Sequence, residues 1–131
     1  MQPDQPGSAA RRPLLAVVED DDSVRESLPD LLREFGFAAR AFPSAEGFLA
    51  SACMDRTSCL ILDIALPGMR GPQLQQELKL RRRDIPIVFI TAQTDGSIRP
   101  RLFERGAAGF LLKPFSDTAL FEAVNAALQM S

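Results

Sequence analysis

The chain contains no histidine and no tyrosine. Without imidazole there is no His-based zinc site, no Ser–His triad and no internal phosphohistidine. Cysteine is almost as scarce. Cys53 and Cys59 are too few for a disulfide framework; Cys59 lies in an apolar run and Cys53 near the end of a short helical stretch. Both read as free core thiols of a reducing compartment, which points to the cytoplasm. No apolar run approaches the roughly 18 to 20 residues of a membrane helix, so no bilayer span is expected. The net charge is only -2, which argues against direct nucleic acid binding by this domain alone. Lysine is rare as well: Lys79 and Lys113 stand against 13 arginines.

What is present fits one ordinary globular domain. The 131 residues suffice for a real core, and 46% of them are apolar. Residues Met1–Arg12 carry Pro, Gln, Gly, Ser and Ala without an apolar stretch. They read as a short disordered tail, neither strand nor secretion signal, ahead of a domain over 13–131.

Apolar runs and helical patterns alternate. Strands are expected at about 14–18, 37–42, 58–62, 87–90 and 109–112. A first helix over about 23–35 places Val24, Leu28, Leu31 and Phe35 on one face. Ser23 and Glu26 suggest a capping box at its start, Gly36 ends it, and Pro29 should kink or loosen it. Ser44 opens a short helix through about Ala50, and Gly71–Pro72 opens another with Leu74 and Leu78 facing inward. Asp95–Arg105 reads as a weaker helix because of Gly96 and Pro100. Ser116 caps a last helix bearing Leu120, Val124 and Leu128. Five βα units make an α/β fold: a parallel sheet with helices on both faces.

The ends of the apolar runs carry the chemistry. Glu19 and Asp20 follow Leu14–Val18, Asp63 follows Cys59–Leu62, Thr91 follows Ile87–Ile90, and Lys113 follows Phe110–Leu112. Ligands of open parallel sheets bind beyond the carboxyl ends of the strands, at the topological switch point. Three carboxylates, one amine and one hydroxyl meeting there make a site for a hard divalent cation and a phosphoryl group. Asp21 and Asp22 read differently, as acids at a helix N-terminus.

Four motifs in order, Val17–Asp22, Leu62–Gly71, Ile90–Ala92 and Leu112–Phe115, resemble the receiver domain of bacterial two-component response regulators, the CheY-like family. The resemblance runs from about Leu14 to Leu128. It implies a doubly wound, flavodoxin-like sheet in the order 2-1-3-4-5. It makes Asp63 the phosphoacceptor, whose carboxylate attacks phosphorus to give an acyl phosphate. Glu19, Asp20, Asp63 and the backbone carbonyl of Ala65 would hold Mg²⁺, with Mn²⁺ as a substitute. Lys113 would contact a phosphoryl oxygen as a compact point charge, and Pro114 would follow a cis peptide. The Thr91 hydroxyl would donate to the phosphoryl group and vacate space that Phe110 fills. With no tyrosine available, that switch is a change of packing.

The implied partners are a sensor histidine kinase and an output domain or protein, with homodimerisation through the last helices as a family-level expectation. Such a domain is a signalling switch rather than an enzyme. The stretches Asp22–Leu28 and Ala41–Ala45 are similar to regulators with a C-terminal helix-turn-helix domain, and no such domain falls within these residues. Ala65 departs from a position that is often polar in the family and leaves the acyl phosphate lifetime open. Pro29 and Pro100 also depart from the pattern. Together Ala65, Pro29 and Pro100 keep alive the alternative of a degenerate receiver that acts as a phosphorylation-independent interaction module.

An aspartyl phosphatase would need a second aspartate where Ala65 stands. A flavin carrier would need a neutral phosphate loop where Glu19–Asp22 stand. The runs Arg81–Arg83 and Arg99, Arg101 and Arg105 read as solvated faces, the second adjoining Leu102 and Phe103 as a conceivable partner surface.

Overall fold

In the computed structural model, residues 12–91, 101 and 106–129 are described. The expected tail (apart from Arg12) and the expected helix at Asp95–Arg105 with Pro100 (apart from Arg101) lie outside these residues, as does Ala92.

Five strands, β1 (Leu14–Val18), β2 (Ala38–Phe42), β3 (Thr57–Asp63), β4 (Ile87–Thr91) and β5 (Gly109–Leu112), form one sheet in the order β2-β1-β3-β4-β5. Every neighbouring pair is parallel. Four helices of the described residues connect and cover it: α1 (Asp22–Glu34), α2 (Ala45–Leu49), α3 (Gly71–Leu80) and α4 (Asp117–Gln129). A 3₁₀ turn at Met54–Arg56 leads into β3.

The two-residue period of the strands divides the core. Leu15, Val17, Cys59, Ile61, Val88 and Ile90 face one side, where Leu28 and Leu32 of α1 and Leu120, Val124 and Ala127 of α4 cover them. Ala16, Val18, Leu60, Leu62, Ile87 and Phe89 face the other, under Ala45 and Phe48 of α2 and Leu74 and Leu78 of α3. A sheet buried on both faces explains why these strands read as unbroken apolar runs.

The ends of α1 differ from the expectation in instructive ways. Its N-cap is Asp21, whose side chain accepts from the Val24 N–H at 3.2 Å, so Ser23 lies inside the helix and the Ser23–Glu26 capping box does not form. Asp wins because the turn out of β1 leaves residue 21 in extended backbone, the geometry a cap needs. At the other end Gly36 takes φ +102°, and two backbone bonds, Gly36 N–H to Arg33 O and Phe37 N–H to Leu32 O, close a Schellman motif. Phe37 is thereby committed to the helix end, which is why β2 starts at Ala38. The helix passes through Pro29 as one continuous element. Pro29 itself is buried beside Leu28 and Leu32, so packing against the sheet holds the segment despite the missing N–H. Ser44 and Ser116 do cap α2 and α4, accepting from Gly47 and Ala119 N–H at 3.0 Å each.

Candidate functional site

The chain passes from β2 over β1 to β3, so the crevice between the carboxyl ends of β1 and β3 is the switch point of the sheet. Register brings the acids there. Val18 pairs with Leu62 and Asp63 with Ile90, so Glu19, one residue past Val18, arrives beside Asp63. Carboxylate oxygens of Glu19, Asp20 and Asp63 all lie within 4.8 Å of one another. Glu19 is buried and Asp63 nearly so at 6% exposure, whereas Asp20 is open to solvent.

Lys113, at the end of β5, completes the group. Its Nζ lies 2.8 Å from Glu19 Oε1 and 3.7 Å from Asp63 Oδ2. The Glu19 contact is a close, charge-assisted ion pair that neutralises the buried Oε1 in part. Glu19 Oε2 accepts the Asp21 N–H at 3.1 Å. Asp63 Oδ1 accepts the Ala65 N–H at 3.0 Å, which fixes the carboxylate against the loop that follows β3. Burial pushes the Glu19 carboxyl above its ordinary value; the Lys113 ammonium opposes this and the neighbouring Asp63 adds to it. Burial alone would lower the Lys113 ammonium, but Glu19 and Asp63 outweigh it and hold it above its ordinary value.

The donor set fits a hard divalent cation. It consists of three carboxylates from two strand ends, two of them buried, which a single lysine does not neutralise. Such ions take oxygen ligands and retain water, and Asp20 provides the open side.

Thr91 ends β4 at the same sheet edge, opposite Leu112 in register, and its carbonyl accepts the Lys113 N–H at 2.9 Å. Phe110 lies opposite Phe89, the two rings stacked with centroids 5.6 Å apart. The Lys113–Pro114 peptide is cis. Cys53 and Cys59 are buried free thiols. Asp21 and Asp22 stand at the start of α1, as read from the sequence.

Two side chains that sequence reasoning passed over support the site. Arg25 on α1 donates through Nη1 to the carbonyl oxygens of Glu19 at 3.1 Å and Asp20 at 3.0 Å, and through Nη2 to Asp22. Glu46 on α2 accepts the Met69 N–H at 3.1 Å, pinning the loop between Asp63 and α3. The 23-residue separation of that second pair leaves no local signal. Arg25 could have been flagged by its i+3 spacing from Asp22, though that spacing says nothing of the carbonyls.

Known proteins resemble this chain in sequence and fold. The response regulator receiver domain model matches residues 15–125. Nodulation protein W of Bradyrhizobium diazoefficiens is 45% identical over 121 residues, covering 92% of this chain and 53% of that protein. The transcriptional regulatory protein FixJ of Azorhizobium caulinodans is 40% identical over 116 residues, covering 88% of this chain and 54% of that protein. The chain therefore spans about half the length of these curated relatives. Among solved structures, FixJ-N superposes with a TM-score of 0.82 at 32% identity, covering 92% of this chain and 97% of that one. The response regulator StyR gives 0.84 at 44%, covering 91% and 60%. From the sheet order, the convergent acids and these matches, the chain belongs to the response regulator receiver domain family of two-component signalling.

Proposed function

We propose that this domain, residues 13–131 of the sequence, is a phosphorylation-controlled switch whose phosphoacceptor is Asp63. Receivers of this family are signalling domains rather than classical enzymes, and they work with histidine kinases and output domains. The single observation that carries the finer reading is the meeting of Glu19, Asp20 and Asp63 beside Lys113 at the switch point of the sheet.

A carboxylate oxygen of Asp63 attacks the phosphorus of a partner's phosphohistidine. An O–P bond forms as the N–P bond breaks, and the imidazole leaves with the electron pair. Glu19, Asp20, Asp63 and the Ala65 carbonyl would hold a Mg²⁺, which would supply positive charge to offset repulsion between the two anions; Mn²⁺ would serve as well. Lys113 contacts a phosphoryl oxygen; its position near both Glu19 and Asp63 supports that role. The Thr91 hydroxyl donates to the phosphoryl group, and Phe110 repacks against the space Thr91 leaves, passing the change to β5 and α4. Relatives named as transcriptional regulators support an output in gene control by a further domain or partner in the cytoplasm, with homodimerisation as one route.

Incubation of the chain with acetyl phosphate and Mg²⁺ tests this. Labelling is expected to require the metal and to vanish in Asp63→Asn. Label that persists in that variant refutes the assignment.

A further inference from the structure

The two acids after β1 sit in a turn between strand and helix, a place where backbone is free to vary. Their convergence on Asp63 therefore needs something to hold the turn. Glu19 is tied by its own N–H to Phe42 O at 3.0 Å. Asp20 is exposed and has no such bond to the sheet among the backbone bonds of the described residues. Arg25 lies one turn into α1, and a single guanidinium nitrogen, Nη1, reaches back to both carbonyl oxygens, Glu19 O at 3.1 Å and Asp20 O at 3.0 Å. The second nitrogen is paired with Asp22 in the first turn of the helix. The side chain is 25% exposed, and its bond to the Glu19 carbonyl is partly shielded while the one to Asp20 faces solvent.

The geometry points to Arg25 as a positioning residue for divalent metal binding: it links helix α1 to the two successive peptide groups that carry Glu19 and Asp20 and so sets their carboxylates for the ion. This rests on the metal reading given above. The assignment makes an unusual demand on sign. Arg25 is a cation close to a cation site. By charge alone its removal would strengthen metal binding, because a like charge has gone. By positioning, its removal weakens metal binding, because the turn loses the bonds that define it. Partners that orient metal ligands from behind are worth about ten- to a hundredfold in affinity, and that outweighs the screened repulsion from a partly exposed guanidinium.

The test is Mn²⁺ binding to the full chain, followed by loss of the free-ion electron paramagnetic resonance signal, in wild type and four variants. Arg25→Ala is expected to weaken Mn²⁺ about tenfold. Arg25→Lys, which keeps the charge and one donor group, should fall between the two, and it carries the test if the alanine variant does not fold. Arg33→Ala is the control: Arg33 lies on the same helix and bonds Asp30 and the Ala39 carbonyl, away from the turn. It should leave Mn²⁺ affinity unchanged. Glu19→Gln separates the two levels of the argument. If it binds Mn²⁺ like wild type, the metal reading itself fails. If it loses binding while Arg25→Ala and Arg25→Lys bind as tightly as wild type or more tightly, Arg25 has no positioning role and the proposal is overturned.

Discussion

Substituting alanine at Gly71 tests how closely the strand ending at Asp63, the proposed phosphoacceptor, is packed against the helix that follows it. Gly71 is the first residue of α3, and a Cβ there would lie 2.8 Å from the Asp63 carbonyl oxygen, 3.0 Å from Ile64 Cα and 3.3 Å from Phe89 Cε1. Two of these three neighbours are backbone and cannot rotate aside. The third is the ring stacked on Phe110. Forcing an extra carbon into such a place costs about 1–3 kcal/mol, and the backbone partners argue for the upper end. Alanine returns up to about 1 kcal/mol through its better helix propensity.

The net loss is about 2 kcal/mol, which for a domain of this size lowers the melting temperature by about 7 °C. The strain falls on Asp63, the proposed nucleophile. Displacing a reacting group by a fraction of an ångström costs on the order of tenfold in rate, so acetyl phosphate labelling of Asp63 should slow by about that much even where the variant is fully folded. Gly36→Ala is the comparison. Gly36 has φ +102° but open space around a Cβ, so it should lose about 1–2 kcal/mol of stability and none of the labelling rate. Circular dichroism melts and a labelling time course decide the matter. A Gly71→Ala protein that melts with wild type, or a Gly36→Ala protein slowed equally, would show that close packing behind Asp63 does not govern the site.

Two further outcomes follow from buried groups. Because burial raises the Glu19 carboxyl above its ordinary 4.5, the folded state binds its proton more tightly than the unfolded state. In the absence of divalent ions, that contribution is present below pH 4.5 and is lost as pH climbs through the raised value. Glu19→Gln should therefore flatten the pH dependence of the urea midpoint above pH 4.5 and remove any gain in midpoint from Mg²⁺; an unchanged profile would refute this. Cys59 lies in β3 with no exposure, and burial pushes its thiol from 9.0 up to about 12. Its stabilising contribution is present below pH 9 and is lost as pH rises from about 9 towards 12. Iodoacetamide at pH 8 should modify neither cysteine of the native chain and both in urea, and native labelling of Cys59 would contradict its burial.

The sequence by itself determined the five strands, the two-sided core and the set of polar groups at the strand ends. Each is written locally. Short apolar runs that alternate with helical patterns fit strands buried on both faces, and in a parallel sheet all carboxyl ends point one way. Hence Glu19, Asp20, Asp63, Thr91 and Lys113 could be assigned to one edge from their positions alone. Only the tertiary structure decided what holds them. Asp21 replaced Ser23 as the cap of α1 because the path out of β1 set its backbone. Phe37 went to the helix end because Gly36 turned it there, and α1 crossed Pro29 because the sheet beneath it supplied the packing. The bonds from Arg25 to the Glu19 and Asp20 carbonyls and from the Met69 N–H to the Glu46 carboxylate depend on how helices dock beside turns. Docking is fixed by the summed packing of the whole core, and no local pattern of residues encodes it.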